Sequence, residues 1–170
     1  MKVTIRELKK GDAAGMLEWM TDPEISSCFR YDASKITLAS CQKFIKSAND
    51  NPNYRHFAIV NSKDEYLGTV SLKNIDFAEG TAEFAIGTRR NVHGIGADAT
   101  ILALKVAFEE LKLRKVYLNV YSENTRAQKC YTKVGFKFTK TEENAFEKDG
   151  IFRDLNWYEI TKEMFLCKRY

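Results

Sequence analysis

The sequence predicts an α/β (α+β) domain built on a mixed, mainly antiparallel sheet of about seven strands with about four helices. Three observations support this prediction. Two helical segments near the N-terminus are followed by three short strand-like runs separated by turns. A long apolar helix then lies between two strand-like runs, which indicates one central parallel βαβ unit. No glycine- or serine-rich linker divides the 170 residues, so we expect a single domain over residues 1–170.

The first half of the chain supplies a strand, two helices and a three-stranded meander. Residues 3–8 alternate apolar and polar side chains, which predicts the first strand. Helices are expected over residues 11–22, before Pro23, and from about residue 35 or 37 to residue 48. Three further strands, joined by short turns that predict antiparallel pairing, are expected over residues 56–61, 66–75 and 81–87.

The second half contains the parallel unit and closes the sheet. Residues 97–111 form a helix with little polar face, and residues 116–120 form a strand that is apolar enough to be buried on both faces. A shorter helix over residues 124–134 ends before Gly135, a residue suited to a C-terminal cap. Residues 136–141 and 155–161 are expected to complete the sheet as an antiparallel pair.

Composition and charge restrict the function classes. The net charge of +4 is spread along the chain, which suits an anionic ligand such as a phosphorylated cofactor and predicts no nucleic-acid partner. No stretch approaches the roughly 20 apolar residues that span a bilayer, so we expect a cytoplasmic protein with no membrane partner. The sequence leaves a homodimer open. The cysteines are far apart and do not cluster with the histidines, which predicts reduced thiols and no metal site: Cys28, Cys41, Cys130 and Cys167.

The turn at Gly94, Ile95 and Gly96 lies between a predicted strand and the long helix. Backbone N–H groups at such a helix N-terminus form an anion site, and glycine allows a phosphate oxygen to approach closely. Three neighbours would add charge-assisted contacts: Arg89, Arg90 and His93. The same residues also fit a turn that uses glycine only for its backbone freedom.

Two nucleotide-binding alternatives fit this turn less well. Residues 94–99 satisfy the G-x-G-x-x-A pattern of dinucleotide folds, and Glu123 lies near the end of the next strand as a ribose acceptor. Such folds begin with that strand and build several parallel units around it, whereas here antiparallel strands precede the turn. A mononucleotide P-loop is excluded because no Gly-Lys-Ser/Thr follows.

A second motif, NTRAQKCYTKVGF, lies downstream over residues 124–136. It resembles the signature N-x-x-A-x-x-x-Y-x-x-x-G-F of GNAT-superfamily N-acetyltransferases and matches every fixed position. The glycine turn lies upstream at the distance expected of the family's R/Q-x-x-G-x-G/A motif, although Asn91 replaces its first residue and Arg90 comes one position early. Residues 12–23 and 152–158 are most similar to the branch that contains ribosomal-protein alanine, polyamine and amino-sugar acetyltransferases.

The resemblance implies an acetyl-CoA-dependent enzyme with a cofactor cleft. In this family strands 4 and 5 splay apart, and the pantetheine arm of CoA pairs with the exposed backbone like an added strand. The diphosphate binds the amides of the glycine turn, and Asn124 hydrogen-bonds the cofactor near its arm. The implied cofactor-binding residues are Phe84, Ala85, Ile86, Gly87, Arg89, Arg90, Asn91, His93, Gly94, Ile95, Gly96, Ala97, Asn124, Ala127 and Tyr131.

The resemblance also implies direct acetyl transfer to a primary amine. Tyr131 would protonate the departing thiolate, because the reference pKa of a phenol is about 10 and that of a thiol about 8.5; the alternative is a packing aromatic. Glu83 is the candidate general base and Glu159 a weaker one. The backbone amide of Ile86 or a neighbour would polarise the carbonyl. Cys130 would allow an acyl-cysteine route, but no histidine partner is evident.

Acceptor choice is expected to depend on residues 19–46 and on a loop over residues 146–153. Trp19, Phe29 and Tyr31 are the candidate substrate-binding residues, and these segments hold no acidic cluster suited to a long polycation. We therefore expect a protein or peptide N-terminus, or a small-molecule amine such as an amino sugar. A spermidine-type polyamine acetyltransferase and a non-catalytic acyl-CoA-binding module are the alternatives.

Overall fold

The computed structural model describes residues 1–168, and its centre is one seven-stranded sheet. The strands lie in the order β1-β2-β3-β4-β5-β7-β6, with β4 and β5 parallel and the other neighbours antiparallel. This confirms the predicted mixed sheet with a central parallel unit. The strands are β1 (Thr4–Glu7), β2 (Arg55–Val60), β3 (Tyr66–Asp76), β4 (Thr81–Thr88), β5 (Lys115–Tyr121), β6 (Lys137–Lys148) and β7 (Ile151–Thr161).

Six α-helices flank the sheet in the described part of the chain: α1 (Ala13–Thr21), α2 (Pro23–Ser26), α3 (Leu38–Ser47), α4 (Gly96–Lys105), α5 (Thr125–Val134) and α6 (Lys162–Cys167). The sequence predicts α1, α3, α4 and α5. It misses α2 and α6, because helices of four and six residues are too short to show a helical period. Pro23 ends α1 as expected and also begins α2, whose first amides are capped by the side chain of Asp22.

The long apolar helix packs on the centre of the sheet. It consists of α4 followed by a π-helical turn over Val106–Glu110. Ala99, Ala103 and Leu104 are fully buried in the cluster that includes the β5 residue Val116. The two alanines allow the helix backbone to lie close to the strands, so the start of α4 is held next to the end of β4.

A second core cluster joins α1 and α3 to strands β2 and β3. Trp19 of α1 is 6% exposed, and its Nε1 donates to the Tyr66 hydroxyl over 2.9 Å. That hydroxyl also hydrogen-bonds Thr69 over 2.7 Å. The indole and phenol therefore have partners for their polar atoms inside the core, and they fix α1 against β3 and β4.

The β6–β7 pair is much longer than the sequence analysis predicts. The expected loop over residues 146–153 is in fact the tip of a hairpin, in which Phe146 pairs with Arg153 and Lys148 with Ile151. Asp149 and Gly150 form the tip with φ of 53° and 76°, as a two-residue turn requires. The prediction was wrong because β6 is largely exposed and lacks an apolar alternation, although the Asp-Gly pair was the available signal.

No helix among residues 1–168 is both long and apolar enough to cross a membrane.

Candidate active site

The parallel pair β4–β5 is open along most of its length. Backbone pairing is limited to Thr81–Glu83 of β4 and Lys115–Tyr117 of β5, whereas β4 continues to Thr88 and β5 to Tyr121. The two strands therefore diverge after Glu83, which confirms the predicted splay between strands 4 and 5. The β4 backbone from Phe84 onwards faces the gap without a strand partner, so an extended amide-bearing chain can pair there.

A cavity of about 670 Å³ occupies this gap. One end, called here the cofactor end, is formed by the open part of β4, the glycine turn and the first turns of α5. The other, called here the acceptor end, lies around Glu83 and the segment after α2. Its wall contains Phe29, Arg30, Tyr31, Lys73, Glu83, Asn119 and Tyr121.

The glycine turn has an open backbone at the cofactor end. Gly94 has a φ of +79°, and a Cβ built there would meet no atom within 4 Å, so this side of the turn faces free space. Helix α4 begins at Gly96 after Ile95, and no side chain caps its N-terminus. Uncapped amides and the positive end of the helix dipole fit a diphosphate group.

Gly87 has a different role from Gly94. A Cβ at Gly87 would lie 2.5 Å from the Trp19 ring, so glycine is needed there for α1 to pack on β4. Gly87, Phe84, Ala85 and Ile86 line the cavity. The predicted cofactor-binding stretch of β4 is therefore at the cavity wall, and the tight packing of Trp19 behind it fixes its position.

The two predicted phosphate-binding arginines are already ion-paired. Arg89 donates to Glu18 through Nη2 over 2.6 Å, and Arg90 contacts both Asp22 and Glu24. Both arginines line the cavity. These partners orient the guanidinium groups from α1 and α2, and a phosphate would have to share them with carboxylates.

The remaining predicted phosphate contacts are placed differently. Asn91 and His93 do not contribute to the cavity wall, and the His93 Nδ1 accepts from Arg126 over 3.0 Å. Because an arginine side chain can only donate, this contact occupies the His93 Nδ1. Three basic residues of α5 line the wall instead: Arg126, Lys129 and Lys133. The sequence analysis missed them, although their helical spacing was the available signal.

Asn124 begins α5 and lines the cavity. Its Oδ1 accepts from the Ala127 amide over 3.2 Å, which caps the helix. No hydrogen-bond acceptor among the described residues engages its Nδ2 group, which leaves this donor for a ligand in the cavity. Ala127 itself lies in the wall, as do Ile95, Gly96 and Ala97.

Tyr131 lies on the cavity-facing side of α5 and is 9% exposed. Its ring packs edge-on against Phe84 and Phe136, with centroids 6.1 and 5.9 Å away. Burial is the main cause that raises the pKa of Tyr131, so the phenol stays protonated at neutral pH. No described residue hydrogen-bonds its hydroxyl, which is therefore available to a group in the cavity.

Glu83 lies where β4 and β5 separate, with a side chain that is 13% exposed. Its Oε1 is 3.2 Å from the Lys73 Nζ and 3.9 Å from an Arg30 nitrogen. Its Oε2 accepts from the Asn74 side chain over 2.9 Å. Glu159, the weaker candidate base, pairs with Lys115 over 3.2 Å and lies outside the cavity wall.

The three aromatic candidates form a layered wall at the acceptor end. Phe29 and Tyr31 stack with centroids 5.5 Å apart, and both line the cavity. Trp19 lies behind Phe29 at 5.7 Å and does not reach the cavity, so it supports the wall and does not contact a ligand there. Lys148, at the tip of the β6–β7 hairpin, donates to the backbone oxygens of Ser26 and Phe29, which fixes this segment.

Arg30 lies in the segment 19–46 that was expected to choose the acceptor, but three other wall residues of the acceptor end were missed from the sequence: Lys73, Asn119 and Tyr121. These three residues come from β3 and β5, which are far apart in the chain, so no spacing links Lys73 to the other two. Among residues 1–168, no group of three or more His, Cys, Asp or Glu side chains could hold a metal ion.

These features define a class of protein. A parallel βαβ unit with diverging strands, an uncapped glycine-rich helix start and a buried tyrosine with a free hydroxyl form a cleft for an acyl-CoA thioester. The cleft has a second, polar end where an acceptor can meet the thioester. The class is an acyl-CoA-dependent transferase.

Comparison with known proteins identifies the family. The acetyltransferase (GNAT) domain family matches residues 2–137, and the chain belongs to it. The protein is an acetyl-CoA-dependent N-acetyltransferase that acts on an amine. The chain is 26% identical over 167 residues to spermidine N(1)-acetyltransferase of Vibrio cholerae, covering 97% of this chain and 96% of that protein.

Two further matches agree with this family. The acetyltransferase PseH of Campylobacter jejuni is 23% identical over 125 residues, which covers 74% of this chain and 76% of PseH. The crystal structure of Vibrio cholerae spermidine N-acetyltransferase in complex with CoA and spermine has a TM-score of 0.88 at 24% identity. That match covers 96% of this chain and 98% of the other, and it confirms the predicted fold.

Proposed function

We propose that this enzyme acetylates a primary amine on an acceptor that is not a polycation, either a peptide N-terminus or a small amine such as an amino sugar. The observation that carries this proposal is the charge at the acceptor end. Glu83 is the one carboxylate of its wall, and Lys73 and Arg30 both pair with it. The described wall therefore carries a net positive charge there, which repels a polyamine.

The carboxylates near the cavity mouth do not change this balance. Glu18, Asp22 and Glu24 pair with Arg89 and Arg90, and Glu123 pairs with Arg153. Residues 27–48, which include the aromatic wall, contain four basic residues and one acidic residue. A long polycation would thus find each nearby carboxylate already neutralised, and would have to displace an arginine or lysine to bind.

Tyr131 is the proposed general acid. The amine nitrogen forms a bond to the acetyl carbon, the carbon–sulfur bond breaks, and the Tyr131 hydroxyl gives its proton to the leaving thiolate. Burial opposes the tyrosinate, but the same low-polarity surroundings also make an unprotonated thiolate more basic. Tyr131 then regains a proton from the acetylated nitrogen through solvent.

Glu83 is the proposed base, acting directly or through water. Deprotonating an alkylamine with a pKa of about 10.4 at pH 7 costs roughly 4.6 kcal/mol, whereas an α-amine with a pKa near 7.8 costs about 1 kcal/mol. Lys73, Arg30 and Asn74 surround the Glu83 oxygens and fix the position of this carboxylate. An amine of low pKa costs less free energy to deprotonate, which favours a peptide terminus or an amino sugar over a polyamine.

The proposal is tested by measuring how much free CoA the enzyme releases from acetyl-CoA in the presence of each amine. The purified enzyme would be assayed with acetyl-CoA and matched concentrations of short peptides, glucosamine, a nucleotide-linked amino sugar, spermidine and spermine. We expect kcat/KM to be at least tenfold higher for a peptide or amino sugar than for either polyamine. A preference for spermidine would contradict the proposed acceptor class but not the family.

Polyamine acetylation is the second candidate, and the similarity to the Vibrio cholerae spermidine acetyltransferase over almost the whole chain favours it. This activity would require spermidine to bind next to the positive charges of Lys73 and Arg30. The variant Lys73→Gln removes one of these charges, so a rise in spermidine turnover in that variant, from a low wild-type value, would show that the charge excludes polyamines.

A further inference from the structure

Arg30 occupies an unusual position at the acceptor end. It follows α2, lines the cavity and has a side chain that is 37% exposed. Its Nη1 donates to the Asn119 Oδ1, and its Nη2 lies 3.9 Å from Glu83, beyond hydrogen-bonding distance. A guanidinium has five N–H donors, and among the described residues the other donors of Arg30 have no acceptor.

Tyr121 lies in the same wall and has an unsatisfied hydroxyl. The residue is 3% exposed, yet its hydroxyl has no hydrogen-bond partner among the described residues. Burial raises the pKa of Tyr121, while the positive charges of Arg30 and Arg153 act in the opposite direction. Tyr121 therefore presents a protonated donor close to two guanidinium groups.

Arg153 packs against the ring of Tyr121. Its guanidinium carbon lies 5.3 Å from the centre of the Tyr121 ring, and its Nη1 pairs with Glu123. Its Nε is buried and has no partner among the described residues. Buried polar groups in proteins are almost always hydrogen-bonded, so an unpartnered hydroxyl in the wall and an unpartnered Nε on the residue packed against its ring call for an explanation.

We infer that Arg30 and Tyr121, with Arg153 behind them, form an anion subsite that binds a carboxylate or phosphate group of the amine acceptor. An anion supplies only hydrogen-bond acceptors, which is what these unpartnered donors lack. Glu83, 3.9 Å from Arg30, would hold the ammonium group of the same molecule. The acceptor is then a small zwitterionic or phosphorylated amine. This inference rests on the proposed function and narrows it.

The Arg30 side of the anion subsite is separate from the expected phosphate site of the cofactor. Glu83, next to Arg30, lies at the closed end of the wedge, whereas the glycine turn follows the open end of β4 at Thr88. Thr88 is five positions after Glu83 along β4, which corresponds to roughly 16 Å at about 3.3 Å per residue. Substitution of Arg30 should therefore lower kcat/KM for the acceptor and leave the KM for acetyl-CoA within twofold of the wild-type value.

Paired acceptors test the anion subsite with the whole enzyme. Phenylalanine is compared with phenylalaninamide, and glucosamine 6-phosphate with glucosamine, so that one pair probes a carboxylate and the other a phosphate. We expect kcat/KM to be at least tenfold higher for the anionic member of one pair, and that pair identifies the source of the anion. Equal turnover within both pairs would overturn the inference.

Variants separate recognition from folding and from overall charge. Arg30→Gln should reduce kcat/KM for the anionic acceptor about tenfold more than for its neutral counterpart, and Tyr121→Phe about threefold more. Lys35→Gln removes the same charge from a residue whose side chain is 82% exposed and outside the cavity wall, and should leave the ratio unchanged. If Arg30→Gln lowers both members equally, Arg30 does not bind the anion.

A binding measurement gives an independent readout. Glucose 6-phosphate and 3-phenylpropionate carry the anion without the amine, and one of them should inhibit competitively against the amine in the wild type and not in Arg30→Gln. If amines are acetylated but neither compound inhibits, the anion subsite is wrong and the proposed function stands. If no amine other than a polyamine is acetylated, the proposed acceptor class fails as well.

Discussion

The cofactor end and the acceptor end of the cavity are built in different ways. The cofactor end has a backbone platform, made of the open edge of β4, the turn at Gly94 and the uncapped start of α4, with side chains of α5 beside it. The acceptor end consists of side chains from distant elements, such as Arg30, Lys73 and Tyr121. A backbone site depends on a few glycines and a strand–helix connection, whereas a side-chain site can change its specificity without changing the fold.

The largest expected effect concerns the residue between the two ends. Tyr131→Phe removes one hydroxyl and keeps the ring contacts with Phe84 and Phe136. We expect kcat to fall about 100-fold, within the range of general acid catalysis, with the KM for acetyl-CoA changed less than twofold. Steady-state kinetics with a peptide or amino-sugar acceptor measure this, and wild-type turnover would remove Tyr131 from the mechanism.

A second substitution tests the proposed general base, Glu83. Glu83→Gln keeps the shape of the side chain and removes its charge, so we expect kcat/KM for the amine to fall roughly 30-fold. Glu159→Gln is the matched control, because that carboxylate pairs with Lys115 outside the cavity wall, and it should change kcat/KM less than twofold. If Glu159→Gln lowers kcat/KM strongly and Glu83→Gln does not, Glu159 would be the general base.

Two glycine-to-alanine substitutions, at Gly94 and at Gly150, test the backbone site at the cofactor end. Gly94 and Gly150 have φ values of +79° and +76°, and in both a Cβ would meet nothing within 4 Å. Alanine at either position should therefore cost about 1 kcal/mol of unfolding free energy from the left-handed backbone. Only Gly94→Ala should also raise the KM for acetyl-CoA, by about fivefold, because its methyl group faces the proposed diphosphate site.

Chemical denaturation and kinetics of both glycine variants provide the measurement. An equal change in the KM for acetyl-CoA in the two variants would mean that the turn at Gly94 has only a structural role.

The smallest expected effect is on the pH dependence of the free energy of unfolding, through His56. His56 is 7% exposed, and burial, with a further contribution from Lys73, lowers its pKa to about 4 from 6.5. The unfolded chain therefore binds a proton more readily, so stability is lost as the pH falls below about 6.5. At pH 5.5 the loss should be about 1 kcal/mol relative to pH 7.5, measured by urea unfolding.

His56→Gln is the control for this prediction. Glutamine can still hydrogen-bond Ser71, which contacts the His56 Nδ1 over 2.8 Å, but it does not titrate. The difference in stability between pH 7.5 and 5.5 should shrink by about the same 1 kcal/mol in that variant, and an unchanged difference would assign the pH dependence to other groups.

Most of the fold could be predicted because its elements are encoded locally. Residues 66–75 and 81–87 have the composition and turns of strands, and the helix before residue 111 has an unmistakable apolar face. The hairpin between β6 and β7 was underestimated, because the exposed residues of Lys137–Lys148 gain strand structure from pairing with β7 and not from their own pattern. The four residues of α2 are likewise fixed by the Asp22 cap and by contacts with Arg90.

The sequence by itself determined the family and the position of the cofactor end, because the glycine turn and residues 124–136 place backbone amides and Tyr131 at fixed spacings along neighbouring elements. Only the tertiary structure decided what surrounds Glu83. Arg30, Lys73 and Tyr121 are up to 91 residues apart in the chain, and they share one cavity because the segment after α2 packs next to β3 and β5. Electrostatic interactions depend on distance in space, so a site assembled from distant residues leaves no periodic signal in the sequence.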